Sequence, residues 1–168
     1  HIGDSRIYLY LYKERELHRI TKDHSFVQAL VDAGEITADE AETHPDKNRI
    51  LKALGIRTDI TPTVGVVYPK KDDIFLICSD GLSDMLSDYE IKNIFDAKVG
   101  LAQTGETLID EALLAGGKDN TTVQLIRIAG GSAKKSQFIS YNPAFKNAPK
   151  SFRAVSAPMA SAIPPAKA

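Results

Sequence analysis

Ile74-Phe75-Leu76-Ile77-Cys78-Ser79-Asp80-Gly81-Leu82 is an apolar run that ends abruptly in Ser-Asp-Gly. Five successive apolar residues stopped by a turn signal read as a strand in the middle of a sheet. Downstream, Ser87 and Glu90 match a capping box, in which the hydroxyl and the carboxylate satisfy each other's backbone N–H groups. They predict a helix running to about Ala97. Residues 106–114 carry Leu108, Ile109, Ala112 and Leu113 at helical spacing, with Gly116-Gly117 as the stop. Residues 121–128 alternate and read as a closing strand.

Upstream, residues 59–68 are rich in Thr and Val and read as a strand, while residues 49–54 fit either a strand or a helical turn. Thr37 and Glu40 form a second capping box, predicting a helix over residues 38–43 that Pro45 stops. Residues 26–32 place Phe26, Val27, Leu30 and Val31 on one stripe, ended by Gly34. Residues 7–12 and 16–20, joined by Lys13-Glu14-Arg15, predict a hairpin. Strands and helices come in blocks instead of strict alternation, so the fold class is α+β and not a doubly wound sheet.

The chain has 168 residues, 43% of them apolar, and a net charge of −1. That supports one packed domain with an appendage and excludes wholesale disorder. No apolar run approaches the ~18 residues of a membrane span. A single cysteine, Cys78, excludes an internal disulfide framework and points to a reducing compartment, the cytoplasm. There is no secretory signal at the amino end, and the opening His1 suggests a piece of a longer protein. Charge divides unevenly. Residues 132–168 hold six basic residues (Lys134, Lys135, Lys146, Lys150, Arg153, Lys167), no acid, and five of the eight prolines. The expected organisation is a folded body over residues 1–131 and a disordered, basic Ala/Pro/Ser/Lys-rich tail over 132–168. The tail's charges are scattered, so a solvated linker is favoured over a nucleic-acid arm.

Three aspartates sit at predicted strand ends. Asp4 lies in Gly3-Asp4-Ser5-Arg6, Asp80 in Ser79-Asp80-Gly81, and Asp119 in Gly116-Gly117-Lys118-Asp119-Asn120. Taken singly, each is more often just a turn. Together they form an oxygen donor set suited to Mg²⁺ or Mn²⁺, with glycines that permit close approach.

Six stretches in order resemble the PP2C-type metal-dependent serine/threonine protein phosphatases, in their compact bacterial branch. They are GDSR (3–6), TKDHS (21–25), LVDAGEIT (30–37), HPDKNRILKALG (44–55), LICSDGLSDML (76–86) and GGKDNTTV (116–123). The resemblance runs to about residue 129 and corresponds to the C-terminal part of the family's domain. It implies a partial α-β-β-α sandwich, two antiparallel sheets flanked by helices. It implies hydrolysis of phosphoserine and phosphothreonine on proteins by a metal-activated water, with two Mn²⁺ or Mg²⁺ ions about 3.5–4 Å apart. Asp80 and Asp119 then correspond to ligands of the pair, and Asp4 with Asp80 to holders of a third ion. Asn120 orients its loop. His24, His44 and Cys78 are structural, and residues 31–48 match the mobile flap. No catalytic residue is expected within these residues, because the family's bridging aspartate, phosphate-gripping arginine and proton donor belong to its N-terminal half. The chain alone is therefore expected to be inactive. Expected partners are phosphorylated proteins, substrates of a serine/threonine kinase, and the missing half of the domain. No nucleic acid is expected. The alternative is a non-catalytic phosphatase-like regulatory or binding module.

Overall fold

The computed structural model describes residues 1–57 and 59–130 and the backbone of Ile139–Tyr141. Two antiparallel strands, β1 (Arg6–Leu11) and β2 (Glu16–Arg19), form the predicted hairpin. Helices α1 (Phe26–Ala33) and α2 (Ala38–Thr43) follow. Next come β3 (Val64–Val66), β4 (Ile74–Cys78), the short α3 (Asp80–Ser83), α4 (Asp88–Asp96), α5 (Leu101–Leu114) and β5 (Val123–Arg127). The main sheet has the order β2-β1-β4-β5 and is antiparallel throughout. β4 is indeed internal, with Arg6 opposite Cys78 on one side and Cys78 opposite Val123 on the other. That register brings the chain after Cys78 beside the chain before Val123.

Strand alternation sorts the side chains. Ile74, Leu76 and Cys78 of β4 and Tyr8 and Tyr10 of β1 are buried against Leu82, Leu86, Ile91, Phe95, Leu108 and Ala112 of the α3–α5 layer. Tyr10 and Phe95 stack with their centroids 5.0 Å apart. Phe75 and Ile77, on the opposite face, are only partly buried.

Both capping boxes form, Thr37 with Glu40 and Ser87 with Glu90. Gly34 ends α1 in the left-handed region at φ 72°. Elsewhere the elements differ from expectation. The strand expected over residues 59–68 shrinks to three residues, because Pro62 and Pro69 lack the N–H a ladder needs. Residues 49–54 form neither strand nor helix, and only Ile50 makes a bridge, to Ser25. α5 starts five residues early, at Leu101, with Gly105 inside it. The Asp80 turn is itself the first residue of α3. The expected disordered tail lies outside the described residues, except that the backbone of Ile139–Tyr141 forms β6 and pairs antiparallel with β3. Among the described residues no helix is long and apolar enough to cross a membrane.

Asp96, at the end of α4, ties the helical layer to the hairpin. It accepts hydrogen bonds from the Tyr10 hydroxyl (2.7 Å), Lys92 Nζ (2.6 Å) and Arg15 Nε (3.1 Å). Burial opposes its charge, but these three donors outweigh it and hold the carboxyl well below the usual range. Arg15 and Lys92 are solvent-accessible and contribute little, so Asp96→Ala is expected to cost about 2 kcal/mol, mostly through the stranded Tyr10 hydroxyl. Urea unfolding measures it. Because the folded pKa is depressed, this contribution is complete above the ordinary value of 3.8 and fades as the pH falls below it. An alanine variant with an unchanged urea midpoint would contradict the assignment.

Candidate active site

The sharp end of β4 and the approach to β5 are stapled together. Ser79 Oγ donates to the Asn120 carbonyl at 3.1 Å and accepts from Thr122 N–H at 3.1 Å. Ser79 N–H donates to the Thr122 carbonyl, and Thr121 Oγ1 donates to the Gly81 carbonyl, both at 3.1 Å. Gly81 is buried under the same loop, and a Cβ there would lie 2.5 Å from the Asn120 carbonyl oxygen and 3.3 Å from that of Asp119. Only glycine fits such a backbone crossing. Asp80 and Asp119 are thus held at one end of the sheet although 39 positions separate them. Each carboxylate takes the N–H of its successor, Gly81 at 2.8 Å and Asn120 at 2.7 Å.

Asp80 borders two hollows. The smaller, about 270 Å³, is shared with Asp84, Lys118 and Asp119. The larger, about 540 Å³, is shared with Asp4, Asp23, Asp84 and Asp88, and the α1–α2 segment closes its far side. Asp4 and Asp80 therefore face one space and Asp80 and Asp119 another. The three do not converge: among the described residues no group of three or more His, Cys, Asp or Glu is placed to hold a metal ion. Burial raises the Asp4 pKa, and the Asp80 carboxylate raises it further, with smaller pushes from Asp23 and Asp84 against a backbone hydrogen bond. The donors are all oxygen and all of one charge, and their repulsion is what a divalent cation relieves. The residues present fit a hard cation in the chemistry of their donors.

Sequence reading missed Asp84. It follows Asp80 by four positions, and its N–H donates to the Asp80 carbonyl at 2.8 Å. The signal was the i, i+4 spacing, hidden because the segment read as a turn and not as α3. Also missed was the wall of the larger hollow. Arg6 binds Asp23 through Nε and a second nitrogen, the shortest contact being 2.7 Å, and reaches the Tyr8 hydroxyl at 3.3 Å. Tyr8 in turn donates to Asp88 at 2.8 Å. Burial works against the Arg6 charge, yet Asp23 more than compensates, and Arg6 stays protonated.

The remaining candidates are structural in placement. His24 Nδ1 accepts from Gly3 N–H at 3.1 Å, and Nε2 lies 2.8 Å from Thr63 Oγ1. Burial lowers its pKa, Lys52 adds to this, and Asp23 opposes it. His44 Nδ1 accepts from Asp46 N–H at 3.0 Å, within the turn after α2. Cys78 is a buried free thiol whose pKa burial pushes up to about 11, which leaves it unreactive.

Comparison with known proteins places this geometry. No family model matches the chain. Protein phosphatase PhpP of Streptococcus pneumoniae is 45% identical over 126 residues, which are 75% of this chain and 50% of that protein. The serine/threonine phosphatase of S. agalactiae superposes with a TM-score of 0.70 at 38% identity, covering 76% of this chain and 52% of that one. Over about three quarters of its length the chain is similar to PP2C-type serine/threonine phosphatases. It spans about half the length of the curated PP2C-type relatives it matches. A further member, the catalytic domain of PstP, is solved in complex with two manganese ions. It is 40% identical, has a TM-score of 0.63, and aligns over 74% of this chain and 50% of its own.

Proposed function

We propose that this chain forms part of a metal-dependent protein phosphatase that hydrolyses phosphoserine and phosphothreonine on proteins. The observation that carries the reading is the backbone crossing of Gly81 under Asp119-Asn120, which presents two carboxylates from distant strands at one sheet end. Asp80 and Asp119 would hold the ions of a Mn²⁺ or Mg²⁺ pair, and Asp4 with Asp80 a third. When bound, such a pair supplies an activated water and neutralises charge on the phosphoryl oxygens. The chain's own residues position and exclude. Asp80 presents its carboxylate to both hollows from the first turn of α3, and Gly81 keeps it there. The larger hollow beside Asp4 and Asp80, about 540 Å³, has the volume to admit a phosphorylated side chain. With only partial coordination among the described residues, the remaining ligands come from elsewhere in the natural protein. The 168 residues by themselves should be inactive. Substrates are phosphoproteins produced by a serine/threonine kinase, and a buried, free Cys78 suits action in the reducing cytoplasm.

The test is phosphate release from a phosphothreonine peptide by the protein at its natural length. Release should require Mn²⁺, stop on chelation and return on readdition. A rate indifferent to chelation would sink the metal assignment. Folded protein that binds Mn²⁺ and releases no phosphate would instead favour a non-catalytic regulatory module.

A further inference from the structure

The loop that carries Asp4 is held by one residue from another part of the chain. Gly3 is buried, with φ 100°, a left-handed conformation that favours glycine. Both of its backbone polar groups go to His24. Gly3 N–H donates to His24 Nδ1 at 3.1 Å, and His24 N–H donates to the Gly3 carbonyl at 2.8 Å. His24 is itself fixed on two more sides. Its carbonyl accepts from Leu51 N–H at 2.7 Å, and Nε2 meets Thr63 Oγ1 at 2.8 Å. Because Nδ1 accepts an N–H, it carries no proton. The ring is therefore the neutral tautomer, with Nε2–H donating to Thr63. Asp4, the next residue after Gly3, lines the larger hollow together with Asp80.

We infer that His24 is a positioning residue for Asp4: through the two-point clamp on Gly3 it sets the affinity of the Asp4–Asp80 site for a divalent cation. This rests on the reading above, that Asp4 and Asp80 hold a cation. His24 neither ligates the ion nor transfers a proton. It acts as partners outside the ligand shell act on ligands, by fixing orientation, and losing such a partner typically weakens metal binding about 10–100-fold.

Two conservative replacements separate the ring's two contacts. Asparagine places an amide oxygen where Nδ1 lies and keeps the acceptor for Gly3 N–H. Glutamine places its amide near Nε2, keeps the Thr63 contact and leaves Gly3 N–H unpaired. The experiment is Mn²⁺ titration followed by electron paramagnetic resonance, on the protein at its natural length. Asp4→Asn identifies the Asp4-dependent equivalent of Mn²⁺ by removing it. His24→Gln should weaken that equivalent at least ~10-fold, and His24→Asn should stay within about threefold of the wild type. Adding His24→Gln to Asp4→Asn should change nothing further, because both act on one site.

An unchanged affinity in His24→Gln overturns the inference, as does an Asn variant as weak as the Gln variant. If circular dichroism shows His24→Gln unfolded, the folded His24→Asn still decides, since loss of the equivalent there overturns the clamp. A wild-type protein with no Asp4-dependent equivalent removes the metal role of Asp4 and this inference together. An equivalent that is present but indifferent to His24 removes only the inference.

Discussion

In the protein at its natural length, Asp80→Asn is expected to lower Mn²⁺-dependent phosphopeptide hydrolysis by at least ~100-fold, since even partners outside the ligand shell cost 10–100-fold. The change removes one charge and little else. An asparagine oxygen still accepts the Gly81 N–H that Asp80 accepts at 2.8 Å, so the start of α3 survives and the melting temperature should barely move. Asp80 borders both hollows, whereas Asp4 borders only the larger and Asp119 only the smaller. Asp80→Asn should therefore be the most damaging of the three amide substitutions. Steady-state rates across a Mn²⁺ titration test the order. Activity within about threefold of the wild type would remove Asp80 from the site.

Gly81→Ala should damage both stability and activity. The new methyl would sit 2.5 Å from the Asn120 carbonyl oxygen and 2.9 Å from its carbonyl carbon. The obstacle is backbone, stapled by Ser79 and Thr121, so no side chain can swing aside. Relief requires parting the β4–α3 turn from the loop before β5, at a cost of about 3 kcal/mol or more by the standard of overpacked cores. The same parting moves Asp80 away from Asp119. A displacement of ~1 Å at a reacting centre is worth about 100-fold in rate, so activity should fall by that order even where the protein remains folded. Gly105→Ala is the matched control. Its methyl would meet only Leu125 Cδ1, at an ordinary 3.6 Å, inside a helix. There alanine should stabilise by roughly 0.5–1 kcal/mol. Urea midpoints of the two variants should move in opposite directions, and a Gly81→Ala protein as stable as the wild type would refute the crossing.

These predictions draw on features of different legibility. Both capping boxes are local: hydroxyl, carboxylate and N–H groups lie within four residues, so their spacing alone predicts Ala38–Thr43 and the start of α4. The internal position of β4 is legible too, because five apolar residues in a row suit a strand with neighbours on both sides. Where local chemistry is ambiguous, the reading slips. Gly105 looks like a breaker, yet packing of Leu108 and Ala112 against the sheet carries α5 through it. Ser79-Asp80-Gly81 looks like a turn, yet it opens a helix.

The sequence by itself determined the hairpin, the central strand, the capped helices, the order of six family-like motifs and the identity of the three aspartates. All of these depend on contacts within a few residues or on residue type. Only the tertiary structure decided which aspartates share a space, that Asp84 joins them, that Arg6 is consumed by Asp23, and that His24 grips Gly3. Those pairings join residues between 17 and 76 positions apart, or turn on a helix that packing creates. Their geometry is set by the register of β1 against β2 and β4 and of β4 against β5, and register is a property of the folded sheet, not of any segment in it.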